Sequence, residues 1–535
     1  MKKKNIFNVS SPIAYIIFFM ICERMLGCSG SGIVIASMTL FGVLFTILMG
    51  SVMNTLGKMV LVRIKKGFFD GAKRVFGYCL IYALFAGGLG FAILSLFSAK
   101  LGRLFFGDSS PQMILVCLGI YFFIDAVVKT IRGYYLGCEA SGIYIIALVL
   151  KNVSLVILGP IFIKLFAGVG QKAANLHKND FLLNVYGSIG AVAAMCAADI
   201  LMLFVLVIGL RGVLHSDEFS FNEVRTKDGF SSFLKSFLPF SFNLLKENLF
   251  PIVTIFMAIC FYCRYAFANG ETPVSVYSNV GAVGVPGIIT VIFCFIFYKN
   301  FVDDYKKQIR VSFNKEAENK NSVSSLFITV LKNGCIMVVP AAITVMFYSK
   351  AISSFIYGCE NPFAKTIMIW CGVVILFKGI DIGLAKSLEA VKRDNLVFIG
   401  RIVGFVCALL LCILVGKSGI KPTTIAIALA VDIIIATLIH GYFAITGIRG
   451  HYNDVLATLV KVIIACVPMI IVELLTSIFL TKNIILLIIS VVISYCLYLV
   501  GFMFLRGASQ KDIVKMSGSL MFYPLSLLNS LLGIK

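Results

Sequence analysis

Four aspartates stand inside long apolar runs: Asp125, Asp199, Asp381 and Asp432. A charge in such surroundings costs ~2.5–3.5 kcal/mol on insertion scales, so its default reading is a functional site, here one that binds a proton or a cation. Two of the four have a base one helical turn away, Lys129 after Asp125 and Lys378 before Asp381, and each pair can neutralise itself on one helix face. Asp199 and Asp432 have no base in their own runs, which makes them the freer candidates for ion coupling; the alternative is a hydrogen-bonded packing acid. Bases in apolar runs can meet an anion. Lys246 lies between Pro239 and Pro251, prolines that loosen a helix locally, and its neighbour Glu247 points about 100° away around the helix. Glu23 and Arg24 close the first apolar run. The structural alternatives are snorkelling of Lys246 to an interface, interfacial anchoring by Arg24, and a packing pair for Lys378 and Asp381.

Other chemistries find little support. The 16 cysteines are scattered, mostly in apolar runs, where they act as small fillers. Cys260 and Cys263 form the one close pair, without the second pair or histidines that a zinc site needs. His177, His215, His440 and His451 have no metal spacing, and no phosphate-cradling glycine loop with its lysine is present. The chain therefore reads as no enzyme and as needing no cofactor beyond coupling to H+ or Na+.

These residues must be positioned by membrane helices. The 535 residues are 60% hydrophobic and 13% charged, with a mean hydropathy of +0.99, against roughly 25% charged residues in soluble domains. Apolar runs of bilayer length predict about fourteen spans: 11–27, 32–55, 75–98, 111–131, 142–164, 184–210, 236–262, 274–298, 323–347, 365–385, 395–416, 422–445, 455–480 and 483–505. No small-residue cleavage site follows the basic start, so the first run reads as a retained helix. With the N-terminus in the cytoplasm, roughly 28 Lys and Arg fall inside against about 11 outside, the positive-inside pattern. The net charge of +22 thus reads as basic loops facing an anionic leaflet, not as a nucleic-acid surface. Both termini are expected in the cytoplasm, with the chain in the plasma or inner membrane. The loop 299–322 reads as solvated, and 506–535 as an interfacial cytoplasmic tail.

The chain also repeats itself. Ile124-Asp125 in the fourth span is echoed by Ile380-Asp381 in the tenth, and Asp199-Ile200 in the sixth by Asp432-Ile433 in the twelfth. The matched spans lie six apart, so they run the same way across the membrane. The expected fold is all-α and polytopic: two parallel six-helix lobes, 1–210 and 236–446, joined by the loop 211–235, with two additional helices at 447–505. A substrate cavity is expected between the lobes.

Several loose motifs in this order resemble the multidrug/oligosaccharidyl-lipid/polysaccharide exporter superfamily, in particular its lipid-linked-sugar branch with the lipid II flippases and the sporulation stage V protein B group. They are Arg24-Met-Leu-Gly27 with Gly30 and Gly32, Arg132-Gly-Tyr-Tyr-Leu-Gly137, Leu238-Pro239, Tyr277 to Pro286, and Ile356-Tyr357-Gly358. The lipid II flippases carry several cavity arginines in spans one, two and eight; here span one offers Arg24 and span eight none. The resemblance implies a flippase that carries a lipid-linked oligosaccharide or polysaccharide precursor from the cytoplasmic to the outer leaflet by alternating access. Lys246, Glu247, Arg24, Glu23 and Lys378 would line the substrate path, and Asp199, Asp432, Asp125 and Asp381 would couple it to an ion. The implied partners are membrane lipids and the anionic substrate, with the chain acting as a monomer. A cation-coupled multidrug exporter of the same fold and a non-transporting membrane scaffold are the competing readings. A membrane-embedded glycosyl transferase is disfavoured because no long external loop carries catalytic acids.

Overall fold

The structure, a computed structural model, describes residues 2–214, 229–284, 286–287, 309, 320–357, 362–447, 453–479 and 484–505. Every regular element among them is helical. In chain order they are α1 (Lys2–Met49), α2 (Val52–Lys65), α3 (Phe69–Leu96), α4 (Ser98–Leu101), a π-turn at Gly102–Phe106, α5 (Gln112–Gly137), α6 (Ser141–His177), α7 (Phe181–Leu214), α8 (Phe230–Ala268) and α9 (273–284). There follow α10 (Lys320–Phe347), α11 (Ser349–Tyr357), α12 (Ala364–Ala390), α13 (Asp394–Ser418), α14 (Thr423–Gly447), α15 (Asn453–Phe479) and α16 (Ile484–Phe504).

Twelve described helices are long and apolar enough to cross a membrane. The first of them, Ile13–Lys65, has 53 residues, far more than the ~20 that one crossing needs. It is broken at Gly27, whose φ of 66° interrupts the helix at a backbone conformation that glycine adopts without strain. The expected spans one and two both lie in this run. Helix α9 is the described beginning of expected span eight. The chain is a multi-pass membrane protein, and α16 shows why lipid is its solvent: Ile485, Ile488 and Val492 are more than half exposed.

The chain packs as two units, residues 1–285 with 412–422, and residues 286–411 with 423–535. The expected linker between lobes, 211–235, lies largely outside the described residues, as do the loop 299–322 and the tail 506–535. In the first unit, α6 and α7 form the tightest pair, α3 lies on α5, and α8 packs along α1. Glycines set the closest approaches. A Cβ on Gly133 of α5 would come within 2.8 Å of the Met53 carbonyl oxygen of α2, and Gly57 of α2 faces the Gly133 carbonyl. Gly32 of α1 similarly meets the Tyr277 backbone of α9. These small residues let backbones touch where lipid offers no hydrophobic drive between helices. Gly32, Gly133 and Gly281, each from one of the motifs that carried the resemblance, are therefore helix-packing positions, whereas Gly27 breaks the helix in open space.

In the second unit α10 is central. Its Ile336, Val338 and Ala342 share a buried core with Ile375, Ile382 and Leu388 of α12, Met469 of α15, and Tyr498 and Phe502 of α16. The two additional C-terminal helices are tied to α10 by polar contacts. Thr344 Oγ1 donates to Glu473 at 2.8 Å, and the Tyr498 hydroxyl donates to the Ile336 carbonyl at 2.8 Å.

Candidate functional site

Helices α5, α6 and α7 bring five charged side chains into one cluster in the first unit. On α5, Asp125, Lys129 and Arg132 recur at helical spacing. The structure continues α5 to Gly137, so Arg132, expected in a loop, lies within the helix. Lys129 Nζ is 3.3 Å from Asp125 and 3.7 Å above the Phe45 ring of α1, a cation–π contact. Lys151 of α6 is ion-paired with Asp199 of α7, and their side chains are 7% and 0% exposed. Asp199, which has no base within reach on its own helix, is thus partnered by the neighbouring one. Arg132 donates from Nη2 to the Tyr144 hydroxyl at 3.1 Å, and its guanidinium lies 5.5 Å from that ring. Tyr15 and Tyr121 hydroxyls meet at 3.4 Å beside the cluster, and Lys151 stands 5.9 Å from the Tyr15 ring.

The charges here do not cancel. Lys129, Lys151 and Arg132 stand against Asp125 and Asp199, leaving one positive charge in excess. Lys151 and Asp199 are sealed from the surface, whereas the Lys129 side chain is 29% exposed and Arg132 is partly exposed. The excess therefore lies on the accessible side. A buried ion pair offsets its own desolvation only in good geometry; a cation in excess over the carboxylates among the described residues is a standing attraction for an anion.

The second unit repeats the plan. Asp381 of α12 is fully buried and holds three partners: Arg401 of α13 by a direct ion pair, Lys378 on its own helix at 3.6 Å, and His440 Nδ1 of α14 at 2.7 Å. His440 Nε2 lies 2.9 Å from the Val397 carbonyl. The two ring nitrogens thus face two acceptors, and a neutral imidazole has one N–H to give. Each unit thus holds an ion pair between neighbouring helices: in the first, Asp199 of α7 pairs with Lys151 of the preceding helix, and in the second, Asp381 of α12 pairs with Arg401 of the following one. Asp432 is buried on α14, where its Oδ1 would be 2.6 Å from a Cβ at Gly404 of α13.

The remaining candidates are dispersed. Glu23 is buried and Arg24 exposed, so these neighbours on α1 face different surroundings. Lys246 and Glu247 belong to α8, but their side chains lie outside the described residues. Cys260 and Cys263 are buried free thiols on α8, and no group of three metal-binding side chains occurs among the described residues. Sequence reasoning passed over Lys151, Arg401, Tyr144 and His440. One signal was available: Lys151 and Arg401 are bases in the interior of spans five and eleven, again six apart.

No protein-family model matches the chain, and no curated protein matches it in sequence. Solved structures do match it. An inward-facing multidrug resistance MATE family transporter of the MOP superfamily aligns with a TM-score of 0.63 at 14% identity, over 83% of this chain and 98% of that one. The lipid II flippase MurJ, in an inward closed conformation, aligns with a TM-score of 0.61 at 15% identity, over 94% and 99%. An outward-facing MATE transporter aligns at 0.50 and 14%, over 82% and 95%. The fold is that of the MATE and MOP transporters, and the resemblance drawn from the sequence motifs holds at the level of the fold.

Proposed function

We propose that this protein is a transporter that moves a lipid-linked oligosaccharide or polysaccharide precursor from the cytoplasmic to the outer leaflet by alternating access. The observation that carries this reading is the positive excess on the accessible side of the α5–α7 cluster, at Lys129 and Arg132 of α5. Arg132 and Lys129 present guanidinium and ammonium groups to an anion such as a pyrophosphate, for which a guanidinium supplies paired donors. The fold shared with MATE transporters and with MurJ supports a carrier. The alignment with MurJ extends over 94% of the chain. A cation-coupled drug exporter would need acids free to receive an organic cation. Asp125, Asp199 and Asp381 are already held by the protein's own bases.

The test is leaflet exchange of a fluorescent polyprenyl-pyrophosphate sugar in liposomes holding the purified protein. Exchange is expected to require the protein and to fall in Arg132→Gln and in Lys246→Ala. Exchange no faster than in empty liposomes, together with efflux of organic cations, would establish the drug-exporter reading instead.

A further inference from the structure

The first unit holds a second basic feature, remote in sequence from the α5–α7 cluster and unused by the transport reading. A small, partly open cleft of about 40 Å³ lies between the α2–α3 hairpin and the start of α8, lined by Arg63, Arg74, Tyr78, Ser232, Phe233 and Ser236. The hairpin is tight. Gly67 adopts a φ of 78°, and the amides of Lys66 and Phe68 donate to the Arg63 carbonyl at 3.1 and 2.9 Å. Arg63 is oriented by its Nη1, which donates to the Met59 carbonyl at 3.3 Å, while Arg74 is exposed on α3.

The facing wall is built by α8. Its 39 residues begin at Phe230 after Gly229, and no side chain caps its first amides. Aromatic contacts hold that wall in place: the Tyr78 ring lies 5.7 Å from both Phe230 and Phe233, and Tyr82 lies 5.4 Å from Phe237. Two arginines and Ser232 therefore border one fixed space, while the Ser236 hydroxyl donates to the Phe233 carbonyl at 2.9 Å. The surroundings are strongly basic. Lys58, Arg63, Lys65, Lys66, Lys73 and Arg74 are joined by a single acid, Asp70. Beside the cleft, Val62 and Phe68 are 53% and 37% exposed, apolar surface suited to an acyl chain.

Guanidinium groups bind phosphoryl oxygens in pairs, and basic pockets at the ends of membrane helices suit anionic headgroups. We propose that this cleft binds the phosphate headgroup of an anionic membrane lipid, held by Arg63 and Arg74 with help from the Ser232 hydroxyl. This holds whatever the transported substrate is.

The test uses the full chain in detergent, with its melting temperature measured after adding phosphatidylglycerol, phosphatidylcholine or inorganic phosphate. Phosphatidylglycerol is expected to raise Tm by about 4 °C, and the other two additives by less than half as much. The double variant Arg63→Gln/Arg74→Gln should lose most of that increment while its lipid-free Tm stays near wild type. Arg63→Lys/Arg74→Lys should keep part of it, because the charge remains and the paired donors do not. Equal effects of the two lipids, or an increment retained by the Gln variant, would overturn the proposal. A fall in lipid-free Tm as large as the lost increment would make the arginines a clamp on the hairpin. An increment reproduced by inorganic phosphate would make the ligand a soluble anion and refute the lipid assignment.

Discussion

Lys151 on α6 and Asp199 on α7 form an ion pair shut away from the surface, although 48 positions separate them in the chain. Each is the only charge in the middle of its span, and each makes the other tolerable in the membrane. The partner of Asp199 changes its meaning: an acid already neutralised by a lysine is a poor receptor for a second cation.

Removing one member of this pair should cost more than removing both. Asp199→Asn leaves Lys151 buried without its carboxylate, and a loss of about 3–5 kcal/mol is expected. The double variant Lys151→Met/Asp199→Leu should recover most of that loss. Thermal unfolding in detergent measures both. A double variant no more stable than the single would show that the pair contributes through something other than mutual neutralisation.

The second unit offers a parallel case with one more partner. Arg401→Gln should destabilise the protein by a similar amount, because the fully buried Asp381 then keeps only Lys378 at 3.6 Å and His440 at 2.7 Å. In a double-mutant cycle with Asp381→Asn, the coupling energy is expected to reach about 1–3 kcal/mol. Additive effects would mean that the ion pair is not what holds α12 to α13.

Gly133 should tolerate no side chain. A Cβ there would come within 2.8 Å of backbone oxygen on α2, so Gly133→Ala is expected to cost about 1–3 kcal/mol through forced separation of the helices. Gly142 of α6 has nothing within 4 Å of a built Cβ. Gly142→Ala should be neutral or stabilise by about 0.5–1 kcal/mol. The comparison of their melting temperatures separates packing from helix propensity.

Arg132 should matter for transport more than for stability. Losing a charge-assisted hydrogen bond of about 1.5–3 kcal/mol corresponds to roughly a 10- to 100-fold weaker affinity for the anionic lipid. Arg132→Gln is expected to show this as a raised half-saturating lipid concentration in the leaflet-exchange assay. Tyr144→Phe, which removes the 3.1 Å contact to Arg132 and leaves the charge, should show a smaller rise. Unchanged half-saturation in Arg132→Gln would place the anion elsewhere.

Much of the architecture was legible from residue order alone, for reasons of length and locality. Apolar runs of about 20 residues can only satisfy their backbone groups in lipid as helices, and the described helices overlap the expected spans while several, such as α5 and α6, run past their expected ends. The break near Gly27 and the glycine-bearing motifs were visible because glycine marks unusual backbone or close approach. The pairs Asp125–Lys129 and Lys378–Asp381 were legible because positions three or four apart share a helix face.

By itself, then, the sequence determined that this chain is an all-helical, multi-pass membrane protein with charges inside its spans. Only the tertiary structure decided what those charges meet. Lys151 turns to Asp199 and Arg401 to Asp381, and His440 bridges Asp381 to a carbonyl on α13. Those partnerships depend on how each helix is rotated about its axis and which helix stands beside it. Such rotation is set by packing over the whole unit, and no spacing along one helix records it.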